Sequence, residues 1–168
     1  MKRIFILLIS LMTVSSGTLL AQTPEEYEAN YNLRIQQEMI DGVYIPVDLQ
    51  DAFNELNRLS EGEGITHFKN APEEGLDRKL HFGLGKWIMK NWGLEEGSRI
   101  SHFLRLKGVS RPDDMVRVII LTWHRYLNQK PLQLEEEVAI IQKNIEAERA
   151  KREAEKKVIV IERRPHKD

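Results

Sequence analysis

The chain has 168 residues, a formal net charge of −1, 30% charged residues and no cysteine. Those figures exclude disulfides, thiolate metal sites and a lipid anchor on cysteine, and they give no sign of a nucleic-acid-binding charge balance. A chain this long fits one domain with an appendage, and its core must come from helix packing alone.

Lys2 and Arg3 are followed by an almost wholly apolar run, Ile4 to Val14, and then by small residues up to Ala21. This three-part layout predicts a secretory leader over residues 1–21, cut after Ala21, and hence an exported protein, periplasmic or secreted. The rival reading is an uncleaved anchor, because the run nearly reaches the ~18–20 residues a membrane span needs. Membrane association is expected only in that case. Loss of Lys2 and Arg3 would take the net charge from −1 to about −3.

Residues 22–42 read as an N-terminal helix. Thr23 caps it, Pro24 suits its first position, and Glu26 completes a capping box. Tyr27, Tyr31, Ile35 and Met39 recur every fourth residue, and Gly42 stops the run. Val43 to Pro46 is extended. Asp48 caps a second helix with Leu49, Phe53 and Leu56 on one face. Glu61 to Gly64 reads as a loop that also takes in His67.

A third helix is expected from Glu73 to Trp92. On a wheel of about 100° per residue, Lys79, Lys86 and Lys90 form a narrow wet sector, and Trp87 turns to the core. Gly83 and Gly85 each cost roughly 1 kcal/mol against alanine in a helix interior, so each signals a close backbone approach or a bend. Ser98 caps a fourth helix carrying Ile100, Phe103 and Leu104. Arg111-Pro112-Asp113-Asp114 opens a fifth, with acids suited to the helix dipole. The fold class is therefore all-α: a compact bundle of about five helices, packed around Trp87, Trp123, Phe53 and Phe103, with a long charged C-terminal helix.

That helix belongs to an extension over residues 132–168. Leu134, Val138, Ile141 and Ile145 form a seam of 4-3-4 spacing, suited to packing on another helix. The seam fades into a polar stretch, and Val158-Ile159-Val160-Ile161 follows as a β-prone tail.

Chemistry-bearing residues are few. His102 and His124 fall on stripes that look solvated, while His81 lies on the apolar arc of the third helix. No pair of histidines has metal-ligand spacing, so no metal is expected. There is no nucleophile elbow, phosphate loop or dinucleotide fingerprint, so no cofactor and no catalytic residue is assigned. Adjacent Asp113 and Asp114 point about 100° apart on a helix and do not face one site. Trp92, Arg99, Asp114 and His81 are the candidates for contact with a ligand or partner, across a cleft between the Gly93–Arg99 loop and the Arg111–Asp114 turn.

Val43-Tyr44-Ile45-Pro46, HFGLGKWIMKNWGL over residues 81–94, Gly97-Ser98-Arg99, Pro112-Asp113-Asp114-Met115 and Arg125-Tyr126-Leu127-Asn128 together resemble a small bacterial domain family of unknown function, across about residues 43–131. The resemblance implies domain limits and no catalytic residue. The sequence departs from the family pattern at Met89-Lys90-Asn91 and at Glu95, where the family tends to carry an aromatic. The functional expectation is an exported, non-enzymatic module that contacts another protein or itself through residues 132–168. A glycan- or peptidoglycan-binding or hydrolytic envelope domain is the alternative. An inhibitor or immunity partner would fit the size but has no positive feature.

Overall fold

The computed structural model describes residues 23–60 and 62–162, with side chains to residue 156. The leader expected over residues 1–21 lies outside the described residues. The fold is all-α, with seven helices and one short hairpin among the described residues. Helix α1 is Pro24–Arg34, α2 is Leu49–Leu59 and α3 is Glu63–Asn70. Helix α4 runs from Leu76–Leu80 through a π-helical turn, His81–Gly85, into Lys86–Asn91. Helices α5 (Arg99–Leu106), α6 (Pro112–Leu127) and α7 (Leu134–Glu162) complete the chain.

The caps explain the starts. Thr23 and Glu26 form a reciprocal capping box, Asp48 accepts from the Asp51 N–H at 2.9 Å, and Ser98 pairs with Ser101 in a second box. Asp114 sits in the first turn of α6, where its negative charge suits the dipole.

Helix α6 is the axis. Met115, Val118, Ile119 and Ile120 are fully buried, and α2, α3, α4, α5 and α7 all pack on it. Phe53, Ile88, Trp92, Leu94, Ile100 and Leu104 close the core around it. Two aromatic stacks tie the layers: Phe68 on Trp123 at 4.3 Å and Phe53 on Tyr126 at 4.9 Å. The Trp123 indole donates to Asn57 at 2.9 Å.

Four expectations are corrected. The first helix stops at Arg34, and Met39–Ile40 pairs antiparallel with Val43–Tyr44 instead of continuing it. Asp41 and Gly42 both take positive φ, 50° and 79°, which is the requirement of a two-residue hairpin turn. Second, α3 stands where a loop was expected, so His67 is helical and exposed. Third, α3 buries His124, on a stripe of α6 that looked solvated. His124 is 2% exposed, its Nε2 lies 3.0 Å from the Ala71 carbonyl, and Phe68 meets its ring edge-on. His102 is likewise partly covered, because the Tyr31 hydroxyl of α1 reaches its Nδ1 at 2.9 Å.

The fourth correction concerns the tryptophans. Trp87, expected in the core, is 37% exposed, while Trp92, on the apolar arc but also a candidate contact residue, is fully buried. The π-helical turn is the cause. One residue more than an α-helical turn rotates everything after it by about 100° relative to everything before it. Ile88 and Met89 then face the core in place of Trp87. Phe103, also expected inside, is only partly buried. The β-prone run Val158 to Ile161 lies in helical backbone, since α7 continues to Glu162.

Gly83 and Gly85 differ. A Cβ on Gly85 would stand 2.9 Å from Val116 Cγ1 and 3.4 Å from the Leu80 carbonyl oxygen, so the backbone of α4 lies directly on α6 there. A Cβ on Gly83 would meet nothing within 4 Å.

Candidate functional site

The most highly organised polar feature joins α7 to the domain. Glu137, in the first turn of α7, is 4% exposed. Its carboxylate accepts from Arg125 at 2.7 Å and from Arg117 at 3.1 Å. Arg117 continues to Asp77 of α4 at 3.0 Å. Arg125 continues to Glu73 at 2.7 Å and donates to the Leu132 carbonyl at 2.8 Å. Five charged side chains from three helices and a loop thus form one chain of ion pairs. Burial pulls the Arg125 guanidinium down, but its hydrogen bonds to Glu73 and Glu137 outweigh that, and it is held above its ordinary range.

Apolar contacts complete the clamp. Ile141 is 2% exposed, and Leu134, Val138 and Ile145 pack partly buried against the core. The side chain of Gln142 donates to the Gly108 carbonyl, the last residue of the α5 stop. This is the seam the spacing anticipated. It docks on the protein's own domain.

Beyond Ile145 the helix leaves the surface. Every residue from Glu146 to Lys156 is exposed. Arg111 reaches Glu148 at 2.8 Å, and Arg152 stands 3.7 Å from the same carboxylate. Helix α7 is therefore a rod with a clamped root and an exposed outer half, tied back to the domain among the described residues by the Arg111–Glu148 pair. Eleven exposed residues span roughly 16 Å at 1.5 Å per residue.

The four candidate residues do not converge. Arg99 donates twice to the Ile45 carbonyl, with the Nε bond at 2.9 Å, and its guanidinium lies over the Tyr44 ring at 5.3 Å. It is a tie between α5 and the hairpin. Trp92 lies in the core, where its indole N–H finds no partner among the described residues. Only His81 and Asp114 share a cleft, an open one of about 250 Å³ with Asp77, Asp113 and Arg117. It lies between α4 and the start of α6, so the expected cleft against the Gly93–Arg99 loop is replaced by this one. In it His81 Nε2 is 3.8 Å from Asp113, and Asp114 is occupied by Arg111 at 2.6 Å. Among the described residues no group of three or more acids and histidines is arranged to hold a metal.

Sequence reasoning missed the Glu73–Arg125–Glu137–Arg117–Asp77 chain. Its members come from separated segments, and no spacing rule links them.

Residues 45–127 match a family model described as a domain of unknown function, DUF6794. The match takes in α2 to α6 and leaves α1, the hairpin and α7 outside it. No curated protein and no solved structure matches the chain.

Proposed function

With residues 45–127 belonging to that domain-of-unknown-function family, we propose that the protein is an exported, non-enzymatic interaction module whose domain grips the root of α7 and holds out its outer half to another protein or to a second copy. The supporting observation is the contrast along one helix. The root carries a nearly buried glutamate between two arginines, and the next three turns are exposed on every side. A helix polar all round gains nothing by folding back on its own domain, so projection or a partner is its remaining use. The leader, with cleavage after Ala21, accounts for export in this reading.

Deleting residues 132–168 is the wrong test of it, because that removes Glu137 and Ile141 from the clamp. Truncation after Ala147 spares both. The decisive experiment places a photo-crosslinking amino acid in living cells at Ala147, Ala150 or Ala154, and at exposed Gln50 as control. The expected result is a discrete adduct from the three arm positions and none from Gln50. Equal labelling at all four, or none from the arm, would overturn the proposal. The glycan-binding or hydrolytic alternative loses Trp92, which is buried, and keeps the partly exposed Trp87 and the open His81–Asp114 cleft.

A further inference from the structure

The outward side of α4 is unlike the rest of the surface. Lys79, Phe82, Lys86 and Lys90 are all exposed, which puts them on the side of α4 turned away from α6. Phe82 is 84% exposed, the most exposed of the large apolar side chains among the described residues. Trp87 stands beside this row, 37% exposed, with its ring edge-on to the buried Trp92 at 6.1 Å. No acidic residue occurs between Asp77 and Glu95. Among the described residues, none of the three lysines has a carboxylate within ion-pair distance, whereas Arg34, Arg58, Arg99, Arg111, Arg117 and Arg125 all do.

The backbone reinforces the point. Phe82 and Gly83 lie in the π-helical turn. Such turns interrupt regular helix hydrogen bonding and are frequent at functional sites. Gly83 has no neighbour that would exclude a side chain, so packing does not account for it. A bare glycine beside Phe82 leaves the ring clear on that side.

We propose that this face of α4 docks the protein on an anionic lipid surface. Phe82 enters the boundary between headgroups and acyl chains. Trp87 lies at headgroup level, and Lys79, Lys86 and Lys90 meet the lipid phosphates. The lysines span twelve residues, about 16 Å of helix, so they reach separate headgroups and do not converge on one ion. Lysine acts as a mobile point charge and suits a fluid array, while paired recognition of a fixed carboxylate favours arginine. A ring with no polar atom gains nothing from a soluble polyanion but does gain from hydrocarbon, which favours lipid over an acidic protein or polymer. The docking is peripheral: no described helix is long and apolar enough to cross a membrane. It requires neither an uncleaved leader nor the α7 arm.

The test uses the chain expressed with its own leader and recovered in the form the cell makes. Co-sedimentation is measured with phosphatidylglycerol-containing vesicles and with neutral phosphatidylcholine vesicles, so that any leader-borne binding appears equally in both. The expected result is a preference for the anionic vesicles that salt suppresses and a blue shift of the emission that Trp87→Phe removes. Lys86→Glu should weaken the anionic preference by about fivefold or more, from the roughly 1 kcal/mol carried by each basic residue near such a surface. Phe82→Ser should weaken it too, and a ring this exposed is replaceable without unfolding, which circular dichroism checks. Equal binding to both vesicle types would overturn the proposal, as would anionic binding that neither substitution changes. Binding to soluble polyglutamate that outcompetes the vesicles and ignores Phe82→Ser would replace lipid by an acidic protein. Truncation after Ala147 should leave vesicle binding intact while removing the Ala150 and Ala154 crosslinks, so the two proposals fail separately.

Discussion

Glu137→Gln removes one charge from the centre of the clamp with almost no change of shape. Glu137 accepts three guanidinium hydrogen bonds, at 2.7, 3.1 and 3.3 Å. The two from Arg117 matter less, because that side chain is 35% exposed and keeps Asp77 at 3.0 Å. The Arg125 bond matters more, because that side chain is 9% exposed. Breaking a buried pair from one side typically costs about 3–5 kcal/mol. Arg125 still has Glu73 and the Leu132 carbonyl, so the expected loss is smaller, about 2–3 kcal/mol. In a chain of this size that is a fall in Tm of roughly 5–10 °C. Urea melts followed by circular dichroism, with the denaturant slope fitted freely, are the assay. A loss below about 0.5 kcal/mol, the range of ordinary surface changes, would show that the ion-pair chain does not hold α7.

Three further predictions test other parts of the account. Gly83→Ala should stabilise the protein by up to about 1 kcal/mol, because the site is open, whereas Gly85→Ala should destabilise it by driving a methyl against Val116 and the Leu80 carbonyl; chemical melts of the pair should move in opposite directions. Acrylamide should quench chiefly one of the three indoles, and Trp87→Phe should abolish that accessible fraction while Trp123 and Trp92 stay protected. Tyr44 donates to Asp51 at 2.8 Å, and this hydrogen bond, with burial, raises its pKa above 10.0. The stability it contributes is therefore complete below the unfolded value near 10 and is lost as pH rises through the folded value; absorbance at 295 nm should show Tyr44 ionising later than free tyrosine, and Asp51→Asn should bring it earlier.

The helix starts were legible because capping is local. Thr23, Asp48 and Ser98 each bind a backbone N–H within three residues, and the sequence carries that pattern openly. The hairpin was also written there, in Asp41-Gly42, but the four-residue rhythm of Tyr27 to Met39 concealed it. Helix α3 offers only Phe68 buried and Ile65 half-buried, too short a run to declare a period. Its absence from the reading is what made His124 look wet. Trp87 was misplaced by a phase shift: a wheel anchored on Leu76 and Leu80 is right for the first turns of α4 and about 100° wrong after the π-helical turn. The clamp was illegible for another reason. Asp77, Arg117 and Glu137 meet only in the folded chain, and any of them read alone is one more surface charge.

Hydrogen exchange along α7 addresses the central claim most directly, because a clamped root and an exposed arm differ in local stability within one helix. Amides from Val138 to Ile145 should open only with the domain and share its global protection, while those from Glu146 to Lys156 should exchange orders of magnitude faster. Uniform protection along the whole helix in the isolated protein, or a root that exchanges as fast as the arm, would contradict the account.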